Sequence, residues 1–236
     1  MATLELRDVT KEYRAGERRF KVLDHVDLAL AQGEVVAVLG PSGAGKTTLL
    51  TIAGGLQQPT AGEVVLEGRV ISSLPESKRA AVRREQVGFV FQSMNLLQSL
   101  TALENVRYAL ELAGFRGRHA HERARELLAM LDLGHCEAKL PKLLSGGEQQ
   151  RVAIARAFAN RSRVVLADEP TASLDHAHAT EVMDLLRALS HDLATPVLMV
   201  THDLRIHSFA DRLLWLEGGR LEPLTAAEMA RRGIEG

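Results

Sequence analysis

The run from Glu34 to Leu50, EVVAVLGPSGAGKTTLL, decides the fold: an apolar stretch ends in a glycine-rich turn and restarts as an amphipathic segment, the pattern of strand, loop and helix. Gly40, Gly45, Lys46 and Thr47 fit the spacing G-x-x-x-x-G-K-[ST] of a phosphate-binding loop. In such a loop the backbone N–H groups at a helix N-terminus cradle phosphate oxygens, so Ser42, Gly43, Ala44 and Thr48 belong to the same nucleotide-binding set, with Pro41 as a loop residue that has no N–H to donate. Lys46 is expected to reach the β and γ phosphates, and the Thr47 hydroxyl to ligate Mg²⁺.

Upstream, residues 3 to 39 hold three strand-like runs, TLELRDVT, FKVLDHVDLAL and EVVAVL. A polar connection from Arg14 to Arg19, containing Gly16, joins the first two. Downstream of the loop helix, Gly54, Gly55, Pro59 and Gly62 break the chain, and EVVLEGRVI reads as a hairpin around Glu67 and Gly68. SKRAAVRREQ reads as a short charged helix and VGFVF as an apolar strand. The period turns helical from Leu103 to Ala113 and from His119 to Leu133, with Leu127, Leu128 and Leu131 on one stripe. The stretch from about 93 to 160 is therefore expected to be a helical lobe inserted in a β/α frame. RVVLAD and PVLMVT are buried strands separated by a helix from His176 to Leu193, and RLLWLEGGRL closes as a hairpin before a tail of a dozen residues expected to fray. Alternation of buried strands with helices implies a mostly parallel sheet.

Composition narrows the classes. With 46% hydrophobic and 25% charged residues, 236 residues suffice for one large domain with a real core, or for two small ones. A formal net charge of -1 offers no basic field for nucleic acid. The one cysteine, Cys136, can form no internal disulfide and fits a reducing compartment. There is no apolar run of spanning length and no signal-peptide core in MATLELRDVTKEY, so a cytoplasmic chain is expected, with any membrane role supplied by a partner.

Two further strings carry chemistry. In VVLADE an acid closes a buried strand, where it projects into the crevice at which ligands of parallel sheets bind. Asp168 can then serve Mg²⁺, and Glu169 is free to polarise an attacking water as general base. In LSGGEQ, which runs into QRVAIARAFA, Ser145, Gly146, Gly147 and Glu148 open a helix and form a second anion site from a hydroxyl, unobstructed amides and the helix dipole. An acid pair after a strand, or a serine-capped helix, is unremarkable alone; the combination is not.

The phosphate loop, VVLADEPTASLD and LSGGEQQRVAIARA together resemble the nucleotide-binding domain of ABC-type ATPases, over about residues 3 to 221. The resemblance implies an α/β P-loop NTPase fold with a mostly parallel core sheet, an N-terminal antiparallel β-subdomain and an inserted α-helical subdomain at about 93 to 160, the whole of 1 to 236 being one ATP-binding domain. It implies ATP and Mg²⁺ as ligands. At matching positions Tyr13 would stack on adenine, Gln92 would sense Mg²⁺ and the γ-phosphate, His202 at the end of PVLMVTH would contact the γ-phosphate, and Asp175 in ASLD would lie in the loop crossing between two copies. The other eight histidines are expected to be solvated or on helix surfaces. Two copies are expected to stack head to tail around two ATP molecules, a two-fold homodimer.

A domain without a spanning segment looks like the ATPase subunit of a transporter whose integral membrane permease is a separate chain, placed on the cytoplasmic side of the inner membrane. VGFVFQSMNLLQSLTALENV resembles the lipoprotein-releasing and macrolide-exporter group, often served by a periplasmic adaptor, and VTHDLRIHSFADR resembles its branch near the heterocyst glycolipid exporters. ATPases of amino-acid and methionine importers share most of the motifs, and a soluble assembly ATPase is the non-transport alternative. Met94, Leu96, Leu97 and Leu100 crowd more apolar surface than a short connection needs, so a permease helix is expected to dock there, whereas Leu103 and Val106 belong to the core.

Overall fold

The structure, a computed structural model, describes residues 2–16, 18–160, 162–203 and 208–231. Period-two alternation places Leu4, Leu6 and Val9 on one face of β1 (Ala2–Ala15), and all three are buried. β1 pairs antiparallel with β2 (Arg18–Ala31), a longer ribbon than the polar Arg14 to Arg19 connection suggested, with Tyr13 opposite Phe20. After β3 (Val35–Leu39) and α1 (Lys46–Ala53), β4 (Ala61–Leu66) and β5 (Arg69–Val70) extend that ribbon into an antiparallel sheet of order β2-β1-β4-β5. Between β4 and β5, Glu67 and Gly68 have φ of 50° and 74°, the pair of left-handed residues a two-residue hairpin requires.

The second sheet adds β6 (Val87–Val90), β7 (Val164–Asp168), β8 (Val197–Val200), β9 (Arg212–Glu217) and β10 (Arg220–Pro223), in the order β10-β9-β3-β8-β7-β6. Every pairing in it is parallel except the closing hairpin β9–β10. Its central strand is buried on both faces, which is why its sequence runs apolar without alternation. Val36 and Val38 face the core shared with β1, β2 and α1, whereas Val35, Ala37 and Leu39 face the helices α3 (Ala102–Leu112), α4 (Gly117–Met130), α5 (Gly146–Phe158) and α6 (His176–Asp192). Burying each such Val or Leu contributes about 1.5–3 kcal/mol, so the two cores lock β3 and the loop that follows it. The charged helix α2 (Glu76–Gln86) precedes β6.

The connection from β6 to α3 is ordered by polar groups. A capping box of Thr101 and Glu104 starts α3, and the fully buried Asn105 donates to the Leu97, Leu100 and Thr101 carbonyls while accepting from the Leu97 N–H. Arg156, near the end of α5, donates to the carbonyls of Met94 at 2.7 Å and Asn95 at 2.6 Å, residues held at φ of 58° and 49°. Burial lowers the Arg156 pKa below its ordinary value.

Two expectations are corrected. Leu96 is core, 7% exposed, because the Asn105 bonds turn the chain inward there; of the expected docking set Met94 also packs against the core, and Leu97 alone is prominently exposed. Where the last dozen residues were expected to fray, the described part of them holds a short helix, α7 (Ala226–Arg231): Thr225 and Glu228 cap its start and Met229 packs on the core, while 232–236 lie outside the described residues. Among the described residues no helix is long and apolar enough to cross a membrane.

Candidate functional site

Four parallel strands end on one edge of the second sheet, and each delivers a polar group there. β3 runs into Gly40 to Thr48, β6 leads to Gln92, β7 ends on Asp168 with Glu169 next, and β8 leads to Thr201 and His202. An open cleft of about 650 Å³ lies over this edge, lined by the loop, these acids, Gln92, His202 and, from the other sheet, Tyr13, Phe20 and Val22. Ligands of open α/β sheets bind at such carboxyl ends.

The loop geometry explains its glycines. Gly45 sits at φ 101° as the N-cap of α1, and a Cβ there would lie 2.7 Å from Val22 Cγ1 and 3.0 Å from the Val22 carbonyl oxygen, so β2 and the loop can meet only through glycine. Lys46 is 9% exposed and donates to the Gly40 carbonyl at 2.7 Å and the Pro41 carbonyl at 3.1 Å. Its ammonium thus lies folded over the loop, with the free amides of the α1 start around it.

On the facing strand, Asp168 lies beside the Thr47 side chain. Burial pushes the Asp168 carboxyl above its ordinary range; the Thr47 hydroxyl opposes that push and the neighbouring Glu169 charge adds to it. A hydroxyl and a half-buried carboxylate held together are hard oxygen donors of the kind a small divalent cation takes with phosphate oxygens. Glu169 has φ 49°, a left-handed conformation that costs a non-glycine residue about 1–3 kcal/mol, and it is fixed on three sides. Its Oε2 accepts from Thr201 Oγ1 at 2.7 Å, its Oε1 accepts from the His202 N–H at 3.0 Å, and His202 Nδ1 lies 2.7 Å from Oε1. The carboxylate is positioned, and the imidazole stays mostly exposed to the cleft.

Tyr13 stacks on Phe20 with centroids 5.9 Å apart, while its hydroxyl donates to Gln57 Oε1 at 2.7 Å. Phe20, 49% exposed, was not singled out from sequence; only the β1–β2 register brings it beside Tyr13. A flat aromatic base would find two rings here.

The second anion motif stands apart. Ser145 caps α5, its Oγ accepting from the Glu148 N–H at 3.2 Å, and its own N–H donates to Glu148 Oε2 at 2.6 Å. That backbone bond, helped by the His135 ring, holds the Glu148 carboxyl below its ordinary range. Ser145 and Gly146 are exposed yet do not line the cleft; Gly147 is covered by the His178 ring, which lies 3.3 Å from where its Cβ would be. His178 also pairs with Asp175, the N-cap of α6, at 2.7 Å, and its backbone and ring bonds hold that carboxyl low. The ASLD loop and LSGGEQ therefore form one surface, outside the cleft that holds the phosphate loop.

Fold and cleft together define a P-loop ATPase with a second, serine-capped helix start on a separate face. The sequence profile of the ABC transporter family matches residues 23–172, and the chain belongs to that family. It is 46% identical to the lipoprotein-releasing system ATP-binding protein LolD 2 of Caulobacter vibrioides, covering 93% of this chain and 96% of that protein. The macrolide export ATP-binding/permease protein MacB of Vibrio parahaemolyticus is 41% identical over 92% of this chain, which spans 33% of it. Among solved structures, the dimeric post-hydrolysis state of the ATP-binding cassette MJ0796 of Methanocaldococcus jannaschii, bound to ADP and Pi, superposes with a TM-score of 0.83 at 40% identity, covering 94% of this chain and 99% of that one. The chain is accordingly an ABC-type ATPase that binds and hydrolyses ATP.

Proposed function

We propose that this chain is one ABC-type ATP-binding domain, 1 to 236, that powers export or release of a substrate through a separate integral membrane permease, from the cytoplasmic side of the inner membrane. The single observation that carries the mechanism is the separation of the two anion sites: Lys46 lines the cleft, whereas Ser145 and Gly146 present amides and a hydroxyl on another face. One chain cannot close both on one nucleotide. Two chains stacked head to tail can, each cleft receiving the partner's LSGGEQ surface, with Asp175 at the crossing loop. The dimeric state of the MJ0796 relative supports this reading.

Within one site, Tyr13 and Phe20 hold adenine, the loop amides hold the phosphates, and Lys46 turns from the Gly40 and Pro41 carbonyls to the β and γ phosphates. Thr47 and Asp168, with Gln92, would hold Mg²⁺, whose charge would neutralise the phosphate oxygens. Glu169 takes a proton from the attacking water as its oxygen bonds to the γ-phosphorus and the bond to ADP breaks; His202, steadied by Glu169, contacts the γ-phosphate. Closure on ATP and opening after hydrolysis are the mechanical output.

The permease seats in an apolar groove beside Gln92. It measures about 500 Å³ and includes Leu56, the stacked pair Phe89 and Phe91, and Leu112, with Arg83, Arg84 and Arg156 at its margin. An amphipathic helix from the permease, apolar face inward and acidic at its rim, has the matching chemistry. The named release and export relatives weigh against the importer reading. Purification of the tagged chain from membranes tests the proposal: an integral permease of few spans, with or without a periplasmic adaptor, should accompany it. Recovery with soluble assembly partners alone would overturn it.

A further inference from the structure

Beside Ser145, Glu148 of the LSGGEQ helix start meets two side chains that the ATPase reading does not use, His135 and Cys136. A 3₁₀ turn, Gly134–Cys136, presents His135 and Cys136, and α5 brings Glu148 against them; the ligand-type atoms of the three all lie within 4.8 Å of one another. His135 Nε2 is 3.1 Å from Glu148 Oε1, and Cys136 Sγ makes only a weak 3.4 Å hydrogen bond to the Leu133 carbonyl. We propose that His135, Cys136 and Glu148 form a three-ligand site for Zn²⁺, with solvent at the fourth position.

The chemistry is consistent at each ligand. Imidazole nitrogen, thiolate sulfur and carboxylate oxygen are the donors Zn²⁺ takes, and three protein ligands with one open position is an established arrangement. A tetrahedral ion with bonds of about 2.0–2.3 Å keeps its donors about 3.3–3.6 Å apart, so the cluster needs to close by up to about 1.5 Å, within reach of side-chain torsions. Glu148 can serve the ion without giving up its cap, because Oε2 holds the Ser145 N–H and Oε1 faces the cluster. On binding, the thiol proton passes to solvent and Sγ exchanges its bond to Leu133 for the metal. Two cations act on the cluster: Lys139, whose Nζ is 3.9 Å from Oε1 but whose side chain is 41% exposed and can withdraw, and Arg151, which is paired with Glu181. The opening runs past His135, 60% exposed, while Cys136 forms the buried floor. Occupancy would tie the start of α5 to the Gly134–Cys136 turn. The competing description is an ordinary His–Glu pair over a cysteine packed as a small hydrophobe.

The test uses the full chain, free of any polyhistidine tag and stripped by chelator. Because Cys136 is the only cysteine, a thiolate-to-cobalt charge-transfer band on adding Co²⁺ reports this site and no other. The expected results are that band in the wild type, its loss in Cys136→Ser, and a Zn²⁺ affinity, measured against a chromophoric competitor, that falls at least about 10- to 100-fold in His135→Ala. If Cys136→Ser fails to fold, His135→Ala decides, since its ring is at the surface. A folded wild type with no such band, or Zn²⁺ affinity unchanged in His135→Ala, would mean that the ion sits on surface histidines and would overturn the proposal.

Discussion

Replacing Glu169 by Gln removes the base and little else. The amide oxygen can accept from the His202 N–H as Oε1 does now at 3.0 Å, and the amide NH₂ can donate to Thr201 Oγ1 in place of the bond at 2.7 Å, the hydroxyl reversing its sense. The left-handed backbone at φ 49° costs Gln what it costs Glu, so it cancels. The three bonds to the carboxylate, from Thr201 Oγ1, the His202 N–H and His202 Nδ1, lose their charge assistance, but repulsion with Asp168 is relieved. A net loss of about 1 kcal/mol, lowering Tm by about 2–4 °C for a domain of this size, is expected. Loss of the general base costs about 10²- to 10⁴-fold in turnover, or about 2.7–5.4 kcal/mol of barrier. The assay is phosphate release alongside nucleotide affinity and size-exclusion chromatography with and without ATP. Glu169→Gln should bind ATP as the wild type does, release almost no phosphate and run as an ATP-dependent dimer. Turnover within about threefold of wild type would refute the assignment of the base, since no Brønsted argument lets an amide replace a carboxylate.

Three further outcomes are expected. Ser145→Arg should leave ATP affinity intact while blocking the ATP-dependent dimer, whereas Lys46→Ala should weaken binding itself; equal loss of binding in both would place the two motifs in one pocket. Asp168→Asn should raise the Tm of the nucleotide-free chain at neutral pH while abolishing hydrolysis: with the folded pKa raised above its ordinary 3.8, the ionised carboxyl opposes folding above that pKa, so the variant's advantage should shrink as the pH falls toward 4 in a thermal-melt series. Leu56→Asp with Leu112→Asp, on side chains 42% and 50% exposed, should abolish permease pull-down with melting temperature and ATP binding unchanged; a large drop in Tm without any partner would show them to be core.

What was legible in the sequence was whatever is encoded locally. The loop from Gly40 to Thr48 and the acids closing VVLADE need only their own strand and helix to be placed, and the structure puts them on one sheet edge. Groups that meet through pairing register or packing were not legible. Phe20 reaches Tyr13 only across the ribbon, Thr201 reaches Glu169 only because β7 and β8 are neighbours, and Glu148 meets His135 and Cys136 only once α5 docks. Leu96 read as surface because a buried Asn105 nine residues on, which turns the chain inward, leaves no periodic trace. Nearness to the heterocyst glycolipid exporters was read from VTHDLRIHSFADR, of which 204–207 lie outside the described residues.

The bonds from Arg156 to the Met94 and Asn95 carbonyls make α5 a transmission rod. One tip carries Ser145, which faces the other copy in the head-to-tail pair proposed above; the other is fastened two and three residues beyond Gln92, the γ-phosphate sensor of the same proposal. Thirteen residues at 1.5 Å each give a length of about 20 Å, so a tilt of about 10° about the midpoint displaces each tip by about 1.7 Å. Such a shift is enough to break the contact of a serine hydroxyl with a phosphate oxygen. Loss of the γ-phosphate in one cleft would therefore loosen the opposite cleft, and the two ATP molecules of the pair would be released out of step.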